Sequence, residues 1–165
     1  MWLYNRRTFL GGAGLSLLSA CGFSPVYKQG GAAAGLFNQM TVPVVEGRFG
    51  FELRERLIER LGMAAPDARY RLTFDLKIES RDLVVNEASE IIRDNLTGVA
   101  NFTIADRATD ALLFRDKVKS VTSYSTTSDT YPTTVAERAA NIRLVRSLAD
   151  LMVTKLSVTA QDWAA

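Results

Sequence analysis

The chain has 165 residues, the length of one domain at the usual size of about 100 to 200 residues, and its 47% hydrophobic and 23% charged composition excludes a wholly disordered, collagen-like or polytopic membrane protein. With 20 Lys+Arg against 18 Asp+Glu and no basic tract, it carries no electrostatic footprint of a nucleic-acid binder. The absence of histidine excludes serine-histidine and cysteine-histidine nucleophiles and imidazole metal sites, and the single cysteine, Cys21, excludes an internal disulfide, a cysteine zinc cluster and a two-cysteine redox centre.

The first elements in chain order are Arg6-Arg7, an apolar run from Thr8, and small residues up to Ala20. This is the layout of a signal peptide over residues 1–20. The run is about 13 residues and holds three glycines, whereas a membrane-spanning helix needs roughly 20 residues. Arg6-Arg7-Thr8-Phe9-Leu10 is similar to a twin-arginine export signal and equally serves as an ordinary positive n-region, so both export routes stay open. Leu18-Ser19-Ala20-Cys21 matches the bacterial lipobox, which predicts a diacylglyceryl group on Cys21 and an amino terminus created there by cleavage. Each buried methylene of an acyl chain contributes about 0.8 kcal/mol, and two chains or more give a stable anchor. Gly22, where aspartate often marks inner-membrane retention, favours sorting to the outer membrane.

Residues 21–38 read as a lipidated tether rich in glycine and alanine, and residues 39–165 as one folded domain. Met40 to Val45 is a short extended run in which Pro43 suggests an edge or bulge. From Phe51 to Leu61, apolar Phe51, Leu53, Leu57, Ile58 and Leu61 recur at helical spacing before Gly62, predicting an amphipathic helix with a charged outer face. The period then changes to two. Tyr70, Leu72, Phe74, Leu76 and Ile78 alternate with polar residues, predicting a half-buried antiparallel strand. It continues toward Leu83-Val84-Val85, turns near Asn86 to Ser89 and returns through Ile91 and Ile92 to Ile104; a second turn at Asp106 to Asp110 leads to a third strand running to about Tyr124. After a polar loop over Ser125 to Pro132, Thr134-Val-Ala-Glu137 has the side chains of a capping box, and a broad apolar stripe runs from about Val135 to Val158. The expected architecture is α+β, a two-layer sandwich with a mainly antiparallel four-stranded sheet and two helices packed on one face.

No Walker loop, dinucleotide glycine pattern or calcium loop occurs in the mature chain, and no nucleophile has a recognisable base, so the chain reads as a non-enzyme without cofactor or metal beyond the lipid on Cys21. The candidate contact surface is Arg115, Lys117 and Lys119, which share one side of a strand because alternate side chains point the same way. Cations about 7 Å apart suit the phosphates of an anionic lipid. The same pattern also protects an edge strand from pairing with other chains. Tyr124 and Tyr131 are weaker candidates, in keeping with ordinary loop packing.

Cys21-Gly22-Phe23-Ser24-Pro25-Val26-Tyr27, Gly50-Phe-Glu-Leu-Arg54, and Ser123-Tyr124 through Tyr131 into Ala136-Glu137 and Ala149-Asp150 together carry a family resemblance. In these motifs and in element order, the mature chain resembles the LptE family of lipopolysaccharide-assembly lipoproteins, in its alphaproteobacterial branch. The resemblance implies a lipid anchor in the inner leaflet of the outer membrane, at the periplasmic face, and insertion into the LptD β-barrel as an accessory plug. It implies a role in assembling that barrel and in delivering lipopolysaccharide to the cell surface. A reading of another class, an outer-membrane-tethered carrier of lipid or small ligand working alone in the periplasm, needs the same lipobox and one α+β domain.

Overall fold

The computed structural model describes residues 34–82, 92–126 and 129–164. The expected signal peptide, Cys21, most of the tether and the turn at Asn86 to Ser89 lie outside the described residues. After a 3-10 turn at Ala34–Leu36, the elements are β1 (Met40–Thr41), α1 (Arg48–Leu61), β2 (Tyr70–Asp82), β3 (Ile92–Asp106), β4 (Leu112–Thr126) and α2 (Thr130–Trp163). They form the expected α+β layer pair. The sheet runs β1-β2-β3-β4, with β1 parallel to β2 and the other neighbours antiparallel.

The folded region reaches back into the segment expected to be tether. Leu36 is only 1% exposed, and Asn38 donates its backbone N–H to Leu61 and accepts one from Ala65. The extended run beginning at Met40 yields only a two-residue strand, consistent with Pro43 having no N–H to give a ladder, while Val42 stays buried beyond it. Helix α1 begins at Arg48, three residues before the apolar spacing shows it, and buries Leu53, Leu57 and Leu61 on one stripe. It ends where Gly62 takes a φ of 81° and returns its N–H to Ile58.

Strand alternation sorts the side chains by face. Leu72, Leu96, Ala100, Phe102, Ile104 and Val118 point inward and are buried, with Phe74, Leu76 and Ile78 half-buried beside them. The pairing of β2 with β3 extends from Tyr70 opposite Asp106 to Asp82 opposite Asp94, and β3 pairs with β4 over a similar length, with a register shift at Ile104/Ala105. Strands β3 and β4 are 15 residues each, about 50 Å at the usual rise, and the 34 residues of α2 also span about 50 Å. This match accounts for a final helix longer than its apolar stripe. It starts at Thr130 and ends at Trp163, whereas the sequence pattern marks only Val135 to Val158.

The capping box expected at Thr134 is absent. Thr134 lies a full turn inside α2 and its hydroxyl donates to the Thr130 carbonyl. Pro132 is tolerated because first-turn N–H groups have no helical partner. The underside of α2 presses Leu144, Val145, Leu148, Met152 and Leu156 into the core, and α1 is fastened to it where Asp150 takes a bidentate pair from Arg56 at 3.0–3.1 Å. The opposite face of the sheet carries no helix among the described residues.

Candidate functional site

Strand β4 is an edge strand, and its odd-numbered residues from Arg115 onward face away from the helices. Arg115, Lys117 and Lys119 therefore stand together on the open face, all exposed, opposite Thr103, Asn101 and Val99 of β3. The structure brings the predicted triplet together as strand geometry requires. None of the three cations makes an ion pair with a described residue, whereas Arg54, Arg56, Arg60, Arg69, Arg71, Arg146 and Lys155 each do. Beside Arg115 lies an open hollow of about 510 Å³ whose rim includes Thr73, Asp75, Asn101 and Thr103, with the two threonine hydroxyls 2.6 Å apart. The face thus offers a guanidinium, two ammonium groups, hydroxyls and an amide, a set suited to phosphate or carboxylate oxygens at the β4 edge, with the Asp75 carboxylate on the far, β2 side of the hollow. Three aligned cations without ion partners among the described residues favour anions.

On the inner face the same edge is held differently. Lys155 of α2 pairs with Asp116 at 2.7 Å and donates to the Lys117 carbonyl at 3.2 Å. The Lys155 ammonium, with the Lys117 N–H, holds the Asp116 carboxyl below the usual carboxylate range. Ser120 and Ser147 join β4 to α2 by a hydroxyl contact of 3.0 Å.

A buried polar cluster escapes sequence reasoning. Asp94 lies opposite Tyr124 in the β3–β4 ladder, is 8% exposed, and leaves Oδ1 without a hydrogen-bond partner among the described residues. Burial pushes the Tyr124 hydroxyl up to about 12, and its hydrogen bond to the Asp94 carboxylate acts in the same direction. The available signal was phase: Asp94 occupies the inward parity of Leu96, Ala100 and Phe102. Tyr131, by contrast, is 80% exposed in the first turn of α2 and belongs to no site.

At the far end of the sheet, Asp106 Oδ1 accepts the N–H groups of Ala108 and Thr109, which hold its carboxyl below the usual range and fix the β3–β4 turn. Arg107 reaches the carbonyls of Pro66 and Ala68 and so ties the turn to the loop before β2, at an open hollow of about 540 Å³ that it lines with Gln39, Asp67 and Arg69. Among the described residues no group of three or more acidic or cysteine side chains could hold a metal ion, and no helix is long and apolar enough to cross a membrane.

The family model described as LptE, lipopolysaccharide-assembly, matches residues 37–156. The chain is 23% identical over 140 residues to the uncharacterized protein RP188 of Rickettsia prowazekii (strain Madrid E), covering 85% of this chain and 88% of that one. A protein of Caulobacter crescentus CB15 described as a lipoprotein has a solved structure of similar fold, with a TM-score of 0.66 and 19% identity, covering 81% of this chain and 98% of that one. Rare lipoprotein B of Shewanella oneidensis is similar in fold at a TM-score of 0.56 and 14% identity, covering 77% and 98%.

Proposed function

The chain belongs to the LptE family of lipopolysaccharide-assembly proteins, and from that premise we propose that it is the lipid-anchored accessory subunit of an LptD-type outer-membrane barrel. Cys21 is its acylation site, the anchor sits in the inner leaflet of the outer membrane, and the domain faces the periplasm and plugs the barrel lumen. There it assists barrel assembly and the delivery of lipopolysaccharide to the surface, without catalysis. The match over residues 37–156 carries this reading. Large outer-membrane barrels have polar interiors, and the helix-free, polar sheet face suits such a lining.

Arg115, Lys117 and Lys119 are assigned in this reading to the phosphates of lipopolysaccharide. None of them has an ion partner among the described residues, which supports that role, because such exposed cations are available to an anion without first breaking an ion pair. The test is depletion of the protein in its own cells. Surface lipopolysaccharide is expected to fall and to accumulate at the inner membrane, and Cys21→Ser is expected to release the mature domain from membranes on fractionation. Replacement of all three cations by alanine is expected to weaken lipopolysaccharide binding by about tenfold or more. A phospholipid imbalance with normal surface lipopolysaccharide would instead indicate a carrier acting alone and overturn the assignment.

A further inference from the structure

The open edge of β4 is closed in some places and free in others. At Lys117 the backbone N–H is taken by its neighbour's Asp116 Oδ1 at 2.7 Å and the carbonyl by Lys155 at 3.2 Å. At Ser123 the carbonyl accepts Arg143 Nη2 at 3.4 Å. Both residues have the parity whose backbone groups point away from β3, since these alternate along an antiparallel pair. Lys119 and Val121 lie between them with the same parity, so their N–H and C=O groups also point outward. Among the described residues nothing bonds these four groups. Val121 adds an apolar side chain, 55% exposed, on the face that carries Lys117 and Lys119.

We propose that the Lys119–Val121 window of β4 docks one extended, acid-bearing segment of a partner polypeptide, which joins the sheet as a short additional strand. This deepens the preceding reading and rests on it, because the partner is the barrel protein and the window is where its chain is held. Charge selects the occupant. Two copies of this protein pairing edge to edge bring two cation stripes onto one face, and like charges at cross-strand distance oppose that pairing. A segment with carboxylates at alternate positions instead meets Lys119 and, at the border of the window, Lys117, which form no ion pair with a described acid. Docking and lipid phosphate then use these two ammonium groups in turn, and Arg115 is left to the lipid throughout. The caps from Lys155 and Arg143 bracket the window and keep the added strand short.

The experiment compares amide hydrogen exchange in the purified full chain with that in its complex with the barrel isolated from outer membranes. The Lys119 and Val121 amides are expected to exchange about 100-fold more slowly in the complex, with the turn at Asp106 to Asp110 unchanged. Val121→Pro removes an outward donor at a position where an edge strand tolerates proline, and Val121→Glu adds a like charge against the acidic segment. Both are expected to lower recovery of the barrel about tenfold, while Val121→Lys keeps it, a difference that loss of folding cannot mimic. A complex in which both amides exchange as in the free chain overturns the proposal and leaves the plug reading standing. Failure of the wild-type chain to recover any barrel removes both. Protection that arises only in a dimer of this chain makes a second copy the occupant and likewise overturns the proposal.

Discussion

Gly98 stands in the middle of β3, where a side chain is ordinarily an advantage, because α2 passes directly over it. A Cβ built there would lie 2.8 Å from Leu148 Cδ1 and 3.1 Å from Leu144 Cγ, both on fully packed side chains. Replacing Gly98 by alanine therefore forces two core leucines aside, and the overpacking outweighs the smaller backbone entropy gained in the unfolded chain. The expected loss is about 1–3 kcal/mol, read as a lower midpoint in urea with an unchanged slope. A glycine inside an alternating strand is a sequence sign of close backbone approach, but the sequence does not say what approaches. Arg115, Lys117 and Lys119 were different, because parity along one strand was enough to align them; which face of the sheet they occupy came from the packing of α2. Asp94 is the contrary case. Its inward parity was readable, yet its pairing with Tyr124 depends on a strand about 30 residues away in sequence.

At the scale of elements, the sequence located the middle of each helix and the Leu61 end of α1, but missed the start of α1 and both ends of α2. The first turn of α2, Thr130 to Thr134, contributes no core side chain, and the buried stripe begins only at Ala140. Periodicity has nothing to register over that turn, and Thr134 with Glu137 imitates a helix start inside a helix that has already begun. Thr134→Ala tests this directly. An N-cap threonine costs about 1 kcal/mol when lost, whereas a solvent-facing threonine bonded back to its own helix should change stability by no more than about 0.5 kcal/mol in thermal or urea unfolding. The strands were legible as alternation, and their unusual length foretold the long ladders of the β2–β3–β4 meander. The one parallel pairing, β1 beside β2, was not legible, since two residues carry no direction of their own.

For the molecule as a whole, acid sensitivity follows from two carboxylates placed by the fold. Asp106, bonded by the N–H groups of Thr109 and Ala108, and Asp116, bonded by Lys155, both titrate below the ordinary value of 3.8. A folded pKa lower than the unfolded one means that each contributes stability above about 3.8, which is lost as pH falls through the folded value. Urea midpoints are therefore expected to hold from about pH 7 to pH 5 and to decline below about pH 4, with a shallower decline in Asp116→Asn. An equally steep decline in that variant would remove Asp116 from the account. The helix-to-helix clamp of Arg56 and Asp150 lies near the surface, so solvent screening keeps its contribution small and the apolar faces of α1 and α2 dominate their docking.

By itself the sequence determined the properties that depend on local order along the chain. These were a run matching the lipobox pattern up to a single cysteine, the exclusion of histidine chemistry, the amphipathic periods of two helices and three long strands, and a stripe of cations on one strand. Each is set by residues a few positions apart. The tertiary structure alone decided that Leu36 belongs to the core, that β1 lies parallel to β2, that α2 runs the length of the sheet and requires Gly98 beneath it, and that Lys155 and Arg143 cap the β4 edge on either side of an open window. These features join residues about 20 to 50 positions apart. Such contacts leave no periodic trace in the sequence, because they depend on how whole faces settle against one another and not on the repeat of any one face.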